Sequence, residues 1–84
     1  MARNVLILER ERHIARLVEV NLEKAGCVVT IADSATDALA LAGELQPDLV
    51  IVDPSSPGCA QFVEALKSNP TTRGIRVMTL ALRP

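Results

Sequence analysis

Asp53 is the residue around which chemistry could gather. It ends the run Leu49-Val50-Ile51-Val52 and is followed by Pro54, Ser55, Ser56 and Pro57. A short, wholly apolar, largely β-branched run reads as a strand buried on both faces, so Asp53 falls at the carboxyl end of a central strand. In open α/β sheets that end is where ligands collect. A carboxylate placed there can ligate a cation, attack an electrophile, or simply cap the helix that follows. Glu9, directly after Val5-Leu6-Ile7-Leu8, is the second acid of this kind, and Arg10 stands next to it. It reads equally as a solvated strand end. Other constellations are thin. His13 is the only histidine, so a zinc-type ligand set has too few members. Cys27 and Cys59 fall at opposite ends of a parallel sheet, too far apart to bridge, and both read as reduced thiols. Cys59 lies near Asp53 but has no general base beside it.

The elements that must position these residues alternate. Val5–Leu8 reads as a first strand. Ile14, Leu17, Val18 and Leu22, with Ala15 and Ala25, then repeat at helical spacing over about Glu11–Ala25, and Gly26 stops that helix. Cys27–Ile31 is a second strand. Ser34 and Asp37 begin a second helix in capping-box fashion, which Ala38, Leu39, Leu41, Ala42 and Leu45 make amphipathic and Gln46-Pro47 stops. After the Asp53 strand, Phe62, Val63 and Leu66 mark a third helix ending at Ser68-Asn69-Pro70. Ile75–Leu82 is a fourth apolar run. The order βαβαβαβ predicts right-handed crossovers and one three-layer, doubly wound parallel sheet, with residues 1–84 as a single domain.

Composition narrows the function. The chain has 84 residues, a formal charge of -1 and 1% aromatic residues, Phe62 alone, so neither an electrostatic nor a stacking case exists for nucleic acid. No apolar run approaches the roughly 18 residues of a membrane span, and the amino terminus is too short for a signal-peptide core, which implies the cytoplasm.

From end to end the chain resembles the receiver domain of two-component response regulators. The resemblance rests on the first strand ending in polar residues (VLILERE), on the phrase PDLVIVD, on Pro57 four residues after its last acid, and on the sequence of element lengths. It implies the flavodoxin-like fold, places Asp53 where the family is phosphorylated, and implies a histidine kinase or another signalling protein as partner. Three departures follow. The family ends the first strand with two acids that hold Mg²⁺; here they are Glu9 and Arg10. The fourth strand usually ends in Ser or Thr at a switch position, which falls on Ala81, and Thr79 would serve only with the register moved by two. The part beyond the fourth strand (α4-β5-α5), with its lysine, has no counterpart in the 84 residues.

Those departures carry a chemical expectation. Phosphoryl transfer to Asp53 needs charge neutralisation, usually by Mg²⁺ gripped by carboxylates and phosphate oxygens. Exchanging a carboxylate for a guanidinium removes a ligand and adds a repulsion of about 4 kcal/mol at about 4 Å in a near-surface dielectric. Mg²⁺ binding through Glu9, Asp53 and the Ser55 carbonyl is therefore expected to be weak, and no cofactor is expected. Arg10 is expected to pair with Asp53 or Glu9, the alternative being a solvated side chain at the helix start. The fourth strand is apolar at Val77, Met78, Leu80 and Leu82, with Thr79 between. As an edge it would expose this surface, so a C2 homodimer through that edge is expected. Three functions stay open: a degenerate receiver acting by protein contact, a competent phosphoacceptor, and a flavodoxin-type small-molecule binder. The last has no Gly-rich phosphate loop after the first strand and no ring to stack a ligand. None is a turnover enzyme.

Overall fold

The structure is a computed structural model and describes residues 2–80. Seven elements alternate: β1 (Asn4–Leu8), α1 (Arg12–Lys24), β2 (Val28–Ala32), α2 (Ala35–Leu45), β3 (Leu49–Val52), α3 (Cys59–Ser68) and β4 (Arg76–Thr79). Local chemistry sets their ends. Gly26 takes φ +93° just past α1, a conformation that costs glycine nothing. The Ser34 hydroxyl accepts from the Asp37 amide at 3.2 Å and starts α2. Gln46 closes α2 in the left-handed region at φ 49°, immediately before Pro47. Gly58 opens α3 at φ +78°, where an added Cβ would stand 3.0 Å from the Ala35 Cβ. That close approach lets α3 lie against α2.

All pairings are parallel and the sheet order is β2-β1-β3-β4, the doubly wound arrangement the sequence predicts. Side chains alternate between two faces. Leu6, Leu8, Val50 and Val52 point toward α2 and α3 and join Ala38, Ala42, Phe62 and Leu66 in the larger core. Val5, Ile7 and Ile51 point toward α1 and meet Val18 and Leu22 there. The smaller core fades toward β4. Across the sheet on that face run Ile31, Ile7, Ile51 and Met78 in register; Ile7 and Ile51 are buried, Ile31 is half-buried, and Met78 is 52% exposed.

Two expectations need correction. Leu17 lies outside the core on the solvent side of α1, because the helix seats Ala15, Val18 and Leu22 against the sheet instead. The fourth strand is shorter than the apolar run 75–82: it covers Arg76–Thr79, with Leu80 adding one bond from its amide to the Val52 carbonyl at 2.8 Å. Ile75 belongs to the preceding turn, its amide bonded to the Thr72 carbonyl at 3.0 Å. Ala81 and Leu82 lie outside the described residues. Among the described residues no helix is long and apolar enough to cross a membrane.

Candidate functional site

The ends of β1 and β3 leave the sheet side by side. The Asp53 amide donates to the Leu8 carbonyl at 3.1 Å, and the Glu9 amide donates to the Ala32 carbonyl at 3.1 Å. Both acids follow apolar strands at a point where the chain must turn, so neither side chain reaches open solvent. Glu9 is 5% exposed and Asp53 8%. With Arg10, Glu11, Ser55, Ser56 and Pro57 they line one cleft of about 270 Å³ at the carboxyl end of the sheet. The site that sequence reasoning centred on Asp53 is therefore assembled, with Glu9, Arg10 and Ser55 as its neighbours.

Asp53 is held by the turn it begins. Its Oδ1 accepts from the Ser55 amide at 2.9 Å and from the Ser55 hydroxyl at 2.7 Å. The Ser56 amide bonds back to the Asp53 carbonyl at 3.0 Å, and the Cys59 amide to the Ser56 carbonyl at 3.1 Å, which leads straight into α3. Asp53 does not cap that helix, since its N-cap is Gly58 and carries no side-chain cap bond. Ser55 thus does more than offer a backbone carbonyl to the cleft. Its hydroxyl fixes the carboxylate's orientation, a role that an Asp-Pro-Ser spacing could have suggested. Ser56 was missed altogether as a site residue. Its hydroxyl is buried and has no hydrogen-bond partner among the described residues.

Glu9 turns toward α1. Its Oε2 accepts from the Glu11 amide at 3.1 Å, while Glu11 Oε1 accepts from the His13 amide at 3.3 Å as the N-cap of α1. Glu11 lines the cleft, a position sequence reading assigned only to the helix start. Arg10 also lines it, but the expected direct ion pair with Asp53 or Glu9 is not made. Among the described residues the one ion pair is Arg16–Glu19 at 2.6 Å. Arg10 follows Glu9 at the turn into α1, so its side chain is exposed while that of Glu9 is buried. No three His, Cys, Asp or Glu side chains among the described residues come together as a cation ligand set.

Cys59 is buried beneath the same loop. Burial raises its thiol pKa first, and the negative charge of Asp53 raises it further. The thiol is thereby kept protonated, which suits packing rather than nucleophilic work. A larger open groove of about 690 Å³ runs between α1 and α2 past Glu9 and Arg10, but Asp53 does not line it.

No protein-family model matches the chain. Solved structures do. The N-terminal receiver domain of a response regulator from Methanoculleus marisnigri is 26% identical, with a TM-score of 0.86, over 100% of this chain and 70% of that one. The Vibrio cholerae chemotaxis response regulator CheY4 is 25% identical, with a TM-score of 0.89, over 100% of this chain and 73% of that one. The pseudo-receiver domain of the CikA protein is 26% identical, with a TM-score of 0.80, over 99% and 72%. In element order, sheet order and the placing of an acid at the end of its central strand, the chain has the fold of the receiver domains of response regulators and is consistent with one.

Proposed function

We propose that the chain is a two-component signalling module of the cytoplasm that works by protein contact, including contact with a second copy of itself, and that its phosphorylation on Asp53 is impaired. The observation that carries this reading is the composition of the cleft. Asp53 ends β3, the position that the resemblance gives to the phosphoacceptor, yet the cleft holds Arg10 where a second metal-binding acid would be needed. The donor set does not fit a firm Mg²⁺ site. Glu9 and Asp53 are two carboxylates, Asp53 Oδ1 already accepts two hydrogen bonds, and a cation would enter beside a guanidinium. A histidine kinase or another signalling protein is the expected partner. The likeness to a pseudo-receiver agrees with this reading.

A second reading keeps Asp53 as a competent phosphoacceptor, and one observation favours it. Glu11 lines the cleft with Glu9 and Asp53 and could supply a compensating negative charge. Incubation with acetyl phosphate and Mg²⁺, read by intact mass, separates the two. The degenerate reading expects little or no adduct at concentrations that saturate ordinary receivers. Substantial phosphate incorporation that Asp53→Ala abolishes would establish the second reading instead. Arg10→Asp sharpens the comparison, since restoring the acid should raise any Mg²⁺-dependent adduct.

A further inference from the structure

Two turns of the chain share one local sequence: an Asp or Asn, a proline, then a hydroxyl residue. At Asn69-Pro70-Thr71, Asn69 Oδ1 accepts from the Thr71 amide at 2.9 Å and from the Thr71 hydroxyl at 2.8 Å. At Asp53-Pro54-Ser55, Asp53 Oδ1 accepts from the Ser55 amide at 2.9 Å and from the Ser55 hydroxyl at 2.7 Å. The proline explains the repetition. It fixes its own φ and keeps the residue before it extended, as Asn69 is at φ -98° and ψ 123°. The side-chain oxygen then meets the N–H two residues on with little freedom left to lose. What differs is the acceptor and its surroundings. Asn69 offers a neutral amide in an exposed turn. Asp53 offers a carboxylate that is buried and lines the cleft with Glu9 and Arg10. Hydrogen bonds to an ionised acceptor are roughly twice as strong as those between neutral groups.

We propose that Ser55 is a positioning residue that holds Asp53 in its unmodified form, through a hydroxyl bond that phosphorylation weakens. The proposal rests on the reading of Asp53 as a phosphoacceptor of impaired reactivity, and it names a second source of that impairment beside Arg10. When a carboxylate oxygen of Asp53 attacks acetyl phosphate, its bond to phosphorus forms and the bond from phosphorus to the acetate oxygen breaks. Acetate leaves with the electron pair. Asp53 thereby exchanges a charge shared over two oxygens for one neutral carbonyl and one bridging oxygen. The bonds from Ser55 fall from charge-assisted to neutral, the kind that Thr71 makes to Asn69. This holds whichever oxygen attacks. Attack by Oδ1 turns the gripped atom into the bridging oxygen, a poorer acceptor, and attack by Oδ2 leaves Oδ1 as the carbonyl. A contact that stabilises the reactant more than the transition state raises the barrier. Ser55 is itself exposed, so loss of its hydroxyl opens no buried void.

The test exposes the 84-residue chain to acetyl phosphate and Mg²⁺ and follows phosphate uptake by intact mass, beside Ser55→Ala, Ser55→Thr and Thr71→Ala. Ser55→Ala should raise the initial rate of uptake by about threefold or more, the effect of part of one charge-assisted hydrogen bond. Ser55→Thr keeps a hydroxyl, and Thr71 shows that threonine makes the same bond, so it should restore the slow uptake of the parent. Thr71→Ala removes the matching bond away from the cleft and should leave uptake as it is. The carboxyl-carbon NMR resonance of Asp53, recorded without phosphodonor, should move in Ser55→Ala and stay in place in Ser55→Thr. Uptake by Ser55→Ala no faster than the parent's, none in either included, would overturn the proposal while leaving the impaired-phosphorylation reading in place. An unmoved Asp53 resonance in Ser55→Ala, or an equal rise in Thr71→Ala, would overturn it too. Rapid uptake by the parent would overturn the reading beneath it, and with it the role given to Ser55.

Discussion

The two faces of this sheet are made of the same residue types and end up in different states. On one face, α2 and α3 close over Leu6, Leu8, Val50 and Val52, and ten residues are buried together. On the other, among the described residues, α1 covers the β2 and β1 side and the buried cluster is Val5, Ile7 and Ile51. The contrast is one of coverage rather than hydrophobicity. A strand sequence states that it can be buried; whether it is depends on which helices lie over that face.

Substitutions on the two faces should separate accordingly. Phe62→Ala, at the centre of the closed face and 2% exposed, should lower unfolding free energy by about 3–5 kcal/mol in urea titration. A loss near 1 kcal/mol would mean that the face is loosely packed after all. Thr72→Val should cost about 1–3 kcal/mol, because the buried Thr72 hydroxyl donates to the Leu66 carbonyl at 2.7 Å at the end of α3 and the carbonyl would be left dry. Met78→Lys on the open face should change the stability of the dilute monomer by no more than about 0.5 kcal/mol, while abolishing the concentration dependence of the melting temperature.

The smallest effect concerns pH. Cys59 has a raised thiol pKa in the folded state, so its protonated form is favoured there. The corresponding stability is fully present below the unfolded thiol pKa of about 8.5 and is lost as pH rises through the higher folded value. Cys59→Ala should flatten that alkaline fall, and Asp53→Asn, which removes the second cause of the shift, should move it to lower pH. An unchanged alkaline limb in Cys59→Ala would assign it to other groups.

Much of this was legible in the residues. Leu49–Val52 could only be a strand buried on both faces, and the abrupt change to Asp53 and Pro54 fixed which end carried the site. Gly26, Ser34 and Gln46-Pro47 marked helix boundaries because each has a specific backbone reason to be there. Arg10 was misjudged because charge complementarity says that a guanidinium and a carboxylate attract, but not which way the chain turns after β1. The Ser55 hydroxyl bond to Asp53 and the orphaned Ser56 hydroxyl depend on the fold of one loop, which no periodicity encodes. Leu17 fits the helical repeat as well as Val18 does. Only the seating of α1 on the sheet decides between them.

The unequal faces have one direct readout, amide hydrogen exchange along β4 at tens of micromolar chain. The Leu80 amide, bonded to Val52 within the chain, supplies the internal reference. If a second copy pairs along the edge, the Val77 and Thr79 amides should be protected to a similar degree as Leu80 and should lose that protection on dilution while Leu80 keeps it. Exchange of Val77 and Thr79 at unstructured-peptide rates at every concentration, beside a protected Leu80, would show an edge that meets only water and would contradict the account.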